Sequence, residues 1–536
     1  MQGTMMHYPL TLPHIVERAG KLFPEQEVIS RLPDRSLHRT TYGEVCGRAW
    51  RLAEALQKIG LQRGDRVATL MWNHYAHFEA YLGIPIAGGV MHTMNLRLAP
   101  REIAYIANHG GARFLLVDEV LLPLYAQFRE SVHFERVFVV RSSDQPLPAG
   151  TEAYEDLLAM AGGNFHYPDL DEDEAAALCY TSGTTGVPKG VAYTHRSVLL
   201  HTMLLTTADN FAISHMDVVL PVVSMFHVNG WGLPYAAALT GCKLVLPGPR
   251  LDGESLLELM EKFEVTVAAG VPTVWFSVVE CLQKHPGRWK LSPMRVLIGG
   301  AAPPLSLIRE LDHYGMRVIQ GWGLTESSPE GTVSQFKAYM KNWPAEEKYR
   351  VQAKAGIPAP LVELRVVNES GEVPCDGKTM GEVQLRGPWI AGSYYNLPEE
   401  RSKWTGDGWF RTGDIGTLDA DGYLTIADRA KDLIKSGGEW ISSVDLENAL
   451  VAHPDVREAA VIAVPHPKWQ ERPLAVIVPR DGAQLDPAQL REFLSGKFAR
   501  WQLPDAFVFV EQLPHTSTGK LLKTELRQRY QAWQWD

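Results

Sequence analysis

Short apolar runs alternate with helical patterns in the first part of the chain, and this alternation restricts the fold more than any other feature. Apolar residues recur with helical spacing over 42–56 and 75–86, whereas 66–71 and 112–117 have the pattern of buried strands. Strands and helices that alternate at these lengths predict a parallel sheet covered by helices on both faces. Because 536 residues exceed what one core can hold, we expect an α/β protein of two or more domains.

The charge balance and the cysteines narrow the class of protein. Lys and Arg number 52 against 62 Asp and Glu, which gives a net charge of −10 and a sequence pI near 6.0. This balance argues against non-specific nucleic-acid binding, although a local basic cluster could still hold an anionic substrate. The five cysteines are scattered without a CxxC pair, which is typical of a reducing compartment, and no run of about 18 apolar residues predicts a membrane span. We therefore expect a cytoplasmic protein without a signal peptide or a transmembrane segment.

The stretch 180–190 is rich in hydroxyls and glycines and stands between two strand patterns, 175–179 and 191–195. Glycines allow tight turns with exposed N–H groups, and Lys189 adds a cation, so this composition favours binding of a polyphosphate. Clusters of this kind are most often flexible surface loops, but the length and the Pro-Lys-Gly ending favour a site. No Gly-Lys-Ser/Thr follows the spaced glycines, so a Walker A loop is not indicated. The candidate phosphate-binding residues are Thr181, Ser182, Gly183, Thr184, Thr185 and Lys189.

Motifs farther along the chain suit a nucleotide. Trp322 stands between two glycines and offers a ring on which adenine can stack, and Glu326 offers hard oxygen for Mg²⁺. Small residues at 299–302 follow a strand pattern, and ligands bind at the carboxyl ends of strands in open α/β sheets. Asp414 is suited to accept hydrogen bonds from both ribose hydroxyls, although a turn aspartate is the simpler interpretation of that residue alone.

In this order, the motifs resemble those of the adenylate-forming superfamily, which includes acyl-CoA synthetases, the adenylation domains of peptide synthetases and luciferases. The resemblance extends from about Thr41 to Lys520, and the bacterial medium- and long-chain fatty acyl-CoA synthetases are the most similar members. It implies a large N-terminal adenylation domain, 1–429, made of parallel-sheet α/β layers with a β-barrel-like part. It also implies a small, mobile α+β C-terminal domain, 430–536, that pivots at Lys431.

The resemblance also assigns roles to single residues. His227 would lie between the carboxylate and nucleotide sites, Trp231 would gate a fatty-acid tunnel, and Lys520 would be the C-terminal catalytic lysine. Taken alone, a histidine is most often a buried core residue and a lysine is most often solvent-exposed, so these roles depend on the motif match. Relatives usually carry Tyr where this chain has Trp322, so that stacking is kept but a phenol hydrogen bond is lost.

The expected site residues fall into functional groups. The catalytic group is Lys520, His227, Glu326 and Lys435, and the expected Mg²⁺ ligands are Thr181 and Glu326. The acyl chain is expected to contact His227, Val228, Gly230, Trp231, Leu233 and Tyr235, and coenzyme A is expected to contact Ser436, Gly437 and Gly438. Besides the phosphate-binding residues, the nucleotide is expected to contact Val228, Trp231, Gly299, Gly300, Gln320, Gly321, Trp322, Thr325, Asp414, Arg429, Lys431, Lys435 and Trp440.

The resemblance therefore implies an ATP-dependent acyl-CoA ligase that uses Mg²⁺. A carboxylate would attack the α-phosphorus of ATP, pyrophosphate would leave, and the thiol of coenzyme A would then take the acyl group with release of AMP. A medium- or long-chain fatty acid is the favoured substrate, and a short or thioether acid stays open.

Two other interpretations stay open. One is a free-standing adenylation enzyme that loads a carrier protein, and the other is a nucleotide-binding protein without catalysis. The presence of both Glu326 and Lys520 argues against the second. The resemblance further implies a homodimer joined through the N-terminal domains.

Overall fold

The structure is a computed structural model that describes residues 1–181, 187–436, 439–516 and 520–535. Within these residues the strands form four sheets, of which the first, the N-terminal sheet, is parallel except for its last pair. That pair, Ala175–Tyr180 and Gly190–Thr194, is antiparallel and flanks the predicted phosphate loop. In spatial order the strands of the N-terminal sheet are Glu152–Ala153, Arg136–Val140, Ala112–Asp118, Arg66–Leu70, Val90–Thr93, Ala175–Tyr180 and Gly190–Thr194.

The second sheet, the central sheet, has parallel strands in its middle and antiparallel strands at its ends. Apolar residues of the first two sheets, among them Val67, Leu116, Val219 and Leu244, lie in one buried core. The two sheets are therefore layers of one body, as helix-covered parallel sheets require. In spatial order the strands of the central sheet are Ile357–Pro358, Glu330–Val333, Met316–Gly323, Met294–Ile298, Val267–Gly270, Val218–Pro221, Lys243–Leu246, Glu27–Arg31 and Leu37–Thr41.

Two smaller sheets follow along the chain. The antiparallel sheet stands where a barrel-like part was expected, and in spatial order its strands are Gly371–Glu372, Glu363–Asn368, Gly381–Arg386, Phe410–Leu418 and Leu424–Arg429. The C-terminal sheet has its own apolar core, which includes Leu446, Val461 and Leu490. Its strands are Glu439–Ile441, Ile434–Ser436, Gln470–Pro479, Val456–His466 and Ala506–Phe509.

Several helices begin where the sequence provides a capping side chain. Thr41 accepts a hydrogen bond from Glu44 N at 3.4 Å in a capping box, and Thr194 accepts one from Ser197 N at 3.0 Å. The α-helices span Pro13–Leu22, Tyr42–Lys58, Tyr75–Ile86, Pro100–Gly110, Leu122–Tyr125, Tyr154–Ala159, His195–Leu205, Leu233–Thr240, Gly253–Lys262, Pro272–Lys284, Leu305–His313, Ala345–Gln352, Ser443–Val451, Pro487–Ser495 and Lys523–Arg529.

The predicted α/β class is confirmed, with parallel layers in the N-terminal part and a separate α+β unit at the C-terminus. Among the described residues, no helix combines the length and the apolar character that crossing a membrane needs. The domain boundary between 429 and 430 stays a prediction.

Candidate active site

A cavity of about 510 Å³ opens where parallel strands of the central sheet end. The segments 222–224 and 271–274 each follow one of these strands, the segment 297–300 covers the last two residues of the strand Met294–Ile298 and the two that follow it, and each segment contributes residues to the cavity wall. The segment 321–326, at the end of the strand Met316–Gly323, also lines it. Because ligands bind at the carboxyl ends of strands in open α/β sheets, this cavity is the candidate active site.

Residues that are far apart in the sequence meet at this cavity. The predicted site residues that line it are Thr181, Lys189, His227, Val228, Trp231, Gly299, Gly300, Gly321, Trp322, Thr325, Glu326, Arg429, Lys431 and Lys520. Asp414 is buried beside the wall and accepts a hydrogen bond from Nε1 of Trp322 at 3.0 Å. The structure therefore brings together candidate groups for phosphate, base and ribose.

Other predicted residues lie elsewhere. Gly230, Leu233, Tyr235 and Gln320 are buried without lining the cavity, and the hydroxyl of Tyr235 donates to the carbonyl oxygen of Tyr81 at 3.1 Å. Lys435, Ser436 and Trp440 belong to paired strands of the C-terminal sheet, where the Trp440 side chain is exposed. The predictions for Ser182, Gly183, Thr184, Thr185, Gly437 and Gly438 fall outside the described residues.

Thr181 and Lys189 are hydrogen-bonded to each other at the base of the predicted phosphate loop. The backbone N–H of Thr181 donates to the carbonyl oxygen of Lys189 at 2.9 Å, and the N–H of Lys189 donates to Oγ1 of Thr181 at 3.0 Å. The Nζ of Lys189 lies 2.6 Å from Glu400 Oε1 and 5.1 Å from the ring centre of Tyr394. These contacts hold the ammonium group at the cavity, where it can meet an anion.

Tyr394 positions the carboxylate of Glu326. Its hydroxyl donates to Glu326 Oε1 at 2.5 Å, and burial together with the Glu326 charge raises the pKa of Tyr394, so the phenol stays protonated. On the preceding residue, the carbonyl oxygen of Thr325 accepts a hydrogen bond from the hydroxyl of Tyr193 at 2.6 Å. Glu326 is thereby held through its side chain and through the peptide group that precedes it.

Trp322, Asp414 and Arg429, three of the predicted nucleotide contacts, form a connected group. Asp414 pairs in register with Arg429 on the neighbouring strand, and Arg429 Nε lies 3.0 Å from Asp414 Oδ1. The Trp322 ring packs on Gly331, where an added Cβ would lie 3.0 Å from Trp322 Cζ3. Glycine at 331 thus lets the indole lie close to the backbone while it donates to Asp414.

The segment Val228–Gly232 is a left-handed turn, with φ between +46° and +75°. A non-glycine residue costs roughly 1–2 kcal/mol in this region, so Val228 and Trp231 are strained. The turn presses Trp231 against Gly299, where an added Cβ would lie 3.1 Å from Trp231 Cη2. Strain of this kind is typical of functional sites, because the surroundings must hold the backbone in place.

Asn73 fixes the backbone that leads into this turn. Its Nδ2 donates to the carbonyl oxygens of Pro221 and Val223 at 3.0 and 2.8 Å. Its Oδ1 accepts from the N–H of Met225 at 2.8 Å. His227 follows two residues later, and burial and the nearby Lys520 charge lower its pKa to about 3, so the imidazole is neutral.

Lys520 reaches the cavity from the C-terminal unit. Its Cε would lie 3.3 Å from a Cβ added to Gly300, and this glycine therefore leaves room for the lysine. Its backbone N–H donates to Oγ1 of Thr516 at 3.1 Å. Burial and the Arg429 charge lower the pKa of Lys520 to about 8. A cationic side chain held in this way can meet charge that develops on a bound phosphate.

Comparison with known proteins identifies the family. The family model for AMP-binding enzymes matches residues 16–395, and the family model for the AMP-binding enzyme C-terminal domain matches residues 445–520. The chain belongs to the AMP-binding enzyme family. A long-chain-fatty-acid–CoA ligase of Thermus thermophilus is 52% identical, with 98% of this chain and 97% of that protein covered.

Two further relatives show the range of the family. A 3-methylmercaptopropionyl-CoA ligase of Ruegeria lacuscaerulensis is 46% identical, with 99% of each chain covered. The crystal structure of the anthranilate CoA ligase AuaEII in complex with anthranoyl-AMP superposes with a TM-score of 0.87 at 26% identity, with 99% of each chain covered. The predicted family resemblance is therefore confirmed over nearly the whole chain.

Hydrogen bonds cross the expected hinge of this AMP-binding enzyme. Ser442 Oγ donates to the carbonyl oxygen of Ala427 at 2.6 Å, and the N–H of Ser443 donates to Asp428 Oδ2 at 3.0 Å. Ser443 Oγ also donates to the same oxygen. A rotation about Lys431 would have to break these bonds.

Several polar side chains of the cavity carry no sequence motif that would have predicted them. Tyr394 lies 68 residues from its partner Glu326, so only the fold brings the two together. Glu330 stands four residues after Glu326, and that proximity is a weak signal. The cavity-lining residues that the sequence did not indicate include Arg97, His201, Glu330, Tyr394 and Lys403.

Proposed function

We propose that this protein is an AMP-forming acyl-CoA ligase that activates a medium- or long-chain fatty acid. The observation that carries the proposal is one cavity lined by Lys189, Glu326, Trp322 and Lys520, with Asp414 beside it. These groups suit a bound ATP, whose phosphates, base and ribose need cations, an aromatic face and a carboxylate. The similar long-chain ligase of Thermus thermophilus supports the choice of acid.

The first half-reaction joins two anions. The carboxylate oxygen of the acid attacks the α-phosphorus of ATP, pyrophosphate leaves in line, and an acyl-adenylate results. Lys189 would hold the phosphates, and Lys520 would meet the charge that develops between the reactants. His227, which is neutral, would lie between the acid and the nucleotide without adding charge. No side-chain nucleophile is required.

Mg²⁺ fits this arrangement only together with the phosphates of ATP. No group of three or more His, Cys, Asp or Glu side chains that could hold a metal ion is present among the described residues. Glu326 and Thr181 both line the cavity and offer a carboxylate and a hydroxyl, the hard oxygens that Mg²⁺ prefers. Mg²⁺ would neutralise phosphate charge when bound, and Tyr394 would orient Glu326 toward it.

The nucleotide contacts follow from the same wall. Adenine would stack on Trp322, and the ribose hydroxyls would donate to Asp414, with Arg429 beside it. Small residues, Gly299, Gly300 and Gly321, would let the flat base lie near the backbone. The remaining nucleotide-binding residues that we propose are Thr181, Ser182, Gly183, Thr184, Thr185, Val228, Trp231, Gln320, Thr325, Lys431, Lys435 and Trp440.

Thioester formation needs a second arrangement of the C-terminal domain, 430–536. We propose that this domain pivots at Lys431, removes Lys520 and brings in the segment from Lys435 to Trp440. Exposure of Trp440 in the present arrangement agrees with a surface that is not yet in use. Ser436, Gly437 and Gly438 would then border the pantetheine arm of coenzyme A.

The acyl chain would enter beside the left-handed turn. His227, Val228 and Trp231 line the cavity there, and Gly230, Leu233 and Tyr235 would support them from behind. A thioether acid is the second candidate substrate, because the 3-methylmercaptopropionyl-CoA ligase of Ruegeria lacuscaerulensis is nearly as similar.

We also propose a cytoplasmic homodimer joined through the N-terminal domains. All five cysteines are free and lie within the described residues, as suits a reducing compartment. Exposed apolar side chains near the N-terminus, Met1, Met5, Met6 and Tyr8, would be available for such an interface. Sedimentation at micromolar concentration should show a species near twice 59.7 kDa.

A panel of carboxylic acids tests the function. The purified protein is incubated with ATP, Mg²⁺ and each acid, and pyrophosphate release is measured with and without coenzyme A. We expect unbranched fatty acids to give AMP, pyrophosphate and acyl-CoA, with kcat/KM rising with chain length. A phosphopantetheinylated carrier protein replaces coenzyme A in a parallel series. Thioester formation on the carrier alone would instead favour the carrier-loading enzyme.

A further inference from the structure

Glu330 is a buried carboxyl group in the cavity wall, at the start of the strand Glu330–Val333. Only 4% of the residue is exposed. Its Oε1 accepts a hydrogen bond from Nδ2 of Asn210, whereas its Oε2 is buried and has no hydrogen-bond partner within the described residues. One half of the carboxyl group is therefore anchored and the other half is left unsatisfied.

Asn210 fixes the orientation of this carboxyl group. The side-chain Oδ1 of Asn210 accepts from the N–H of Phe211 at 2.8 Å, and the backbone carbonyl oxygen of Asn210 accepts from Nε2 of Gln335. Because Asn210 is held through both its side chain and its backbone, its N–H₂ group stays directed at Glu330 and leaves the Glu330 carboxyl little freedom to rotate. The unpaired Oε2 is thus a fixed feature of the wall.

His201 adds a second unpaired polar atom to the same cavity. The residue is 2% exposed, and its Nε2 is buried without a hydrogen-bond partner within the described residues. Its ring packs edge-to-face on Trp389, with 6.0 Å between the ring centroids. Nε1 of Trp389 donates to the carbonyl oxygen of Glu330 at 2.9 Å, so both polar groups belong to one region of the wall.

His201 also packs against Gly232, the last residue of the left-handed turn beside which the acyl chain would enter. A Cβ added to Gly232 would lie 2.9 Å from Nδ1 of His201, so the histidine packs directly against the left-handed turn that carries Trp231. A polar group buried without a partner is destabilising, and a pocket meant only for hydrocarbon would have no need of one. Two such groups beside the acyl entrance call for a ligand that bonds to them.

We propose that Glu330 and His201 form a polar subsite for the acyl chain, and that the preferred substrate is a carboxylic acid whose chain carries a hydroxyl group. This inference rests on the proposed function, since it specifies the acid of the same reaction. It concerns substrate choice, and Glu330 and His201 are specificity-determining residues in it.

The chemistry of the two groups selects a hydroxyl. Burial raises the pKa of Glu330 to about 8, so the carboxyl is protonated at pH 7 and Oε2–H donates. Burial lowers the pKa of His201 to about 3, so the imidazole is neutral and its Nε2 donates or accepts according to tautomer. A hydroxyl group both accepts and donates, whereas a thioether sulfur is only a weak acceptor and a methylene offers neither bond.

The test compares acids that differ only in one oxygen. Unbranched acids of six to twelve carbons and their hydroxy isomers are assayed for pyrophosphate release with the unmodified protein, Glu330→Gln and Glu330→Leu. At least one hydroxy acid should exceed its parent acid about 10- to 100-fold in kcat/KM, as a site built to bond a hydroxyl discriminates strongly. Glu330→Gln keeps an acceptor for Asn210 and an N–H donor toward the cavity, so most of this preference should remain.

The matched variant replaces the carboxyl group with an apolar side chain of comparable size and so removes the hydrogen bond to the substrate hydroxyl. Glu330→Leu should lower the preference to within about threefold of unity, with KM for ATP unchanged. Loss of the preference in His201→Phe as well would support a shared subsite. The melting temperature of each variant is measured beside the kinetics, and shifts in melting temperature on adding each acid give a binding readout that does not depend on turnover.

The opposing results are distinct. If every parent acid equals or exceeds its hydroxy isomers with the unmodified protein, and Glu330→Leu alters only the melting temperature, Glu330 is a structural group whose free oxygen bonds water, and the inference is overturned. If no acid releases pyrophosphate, the proposed function fails. In that case the melting-temperature shifts still decide the subsite, and equal shifts for parent and hydroxy acids overturn it.

Discussion

Replacement of Lys520 by alanine should separate the two half-reactions. Lys520 is a cavity-lining cation that Gly300 accommodates and that has no carboxylate within ion-pair distance among the described residues. Two unit charges at 4 Å attract by about 4 kcal/mol at an effective dielectric constant of about 20. Because part of this attraction already acts on bound ATP before the transition state, we expect adenylation to fall about 10²–10³-fold.

The pH dependence gives the same reasoning a second readout. Burial and Arg429 lower the pKa of Lys520 to about 8 from its ordinary 10.5, so kcat/KM for adenylation should decline as pH rises through about 8. Lys520→Arg should move that decline to higher pH, because guanidinium stays protonated. The unfolded chain holds the lysine proton up to about 10.5, so stability from this group rises with pH between about 8 and 10.5. At pH 7 the alanine variant should therefore be at least as stable as the unmodified protein.

The assay measures each half-reaction alone. Pyrophosphate exchange reports adenylation, and synthetic acyl-AMP with coenzyme A reports thioester formation. The alanine variant should lose the first and keep most of the second. Equal losses in both, or a large drop in melting temperature at pH 7, would show that Lys520 stabilises the fold and does not act on the phosphates.

Four further substitutions test other parts of the account. Glu326→Gln should raise the Mg²⁺ concentration needed for half-maximal adenylation, because an amide is a poorer ligand for a hard cation. Tyr394→Phe should raise that concentration more weakly. Identical Mg²⁺ titrations for Glu326→Gln and the unmodified protein would remove Glu326 from the metal site. Lys431→Pro should leave one half-reaction active and impair the other, since proline holds φ near −65°, and similar residual rates in both would place the pivot elsewhere. Each buried methylene of a fatty acid contributes about 0.8 kcal/mol, which is about fourfold in affinity, so kcat/KM should climb with chain length. Trp231→Ala should weaken that climb without changing KM for ATP. A loss of ATP binding would instead place Trp231 beside the nucleotide.

Elements with strong local patterns could be predicted from the sequence. The helix at 75–86 and the strand beginning at residue 66 are present, and the hydroxyl-rich loop lies between two strands as expected. Candidate residues in contiguous motifs, such as Trp322 and Glu326, do line one cavity. Local periodicity and motif order carry this information because they depend on neighbours in the chain.

Features that depend on distant partners could not be predicted. Tyr394 bonds to Glu326 through a side-chain contact between separate elements, and no local pattern marks it. Tyr235, a predicted acyl-chain contact, lies on the helix Leu233–Thr240, and its hydroxyl donates to the carbonyl oxygen of Tyr81, a pairing that no local pattern marks. The left-handed turn at Val228–Gly232 reverses the ordinary preference of valine and tryptophan, so only the surrounding structure determines it.

The central claim is that the acid's own oxygen attacks the α-phosphorus of ATP. An acid labelled with ¹⁸O in its carboxylate, incubated with the protein, ATP, Mg²⁺ and coenzyme A, tests this directly by mass spectrometry of the nucleotide product. With both carboxylate oxygens labelled, the account predicts AMP that carries one ¹⁸O atom, acyl-CoA that keeps the other ¹⁸O atom in its thioester carbonyl, and unlabelled pyrophosphate. Label in inorganic phosphate, with ADP as the nucleotide product, would contradict it.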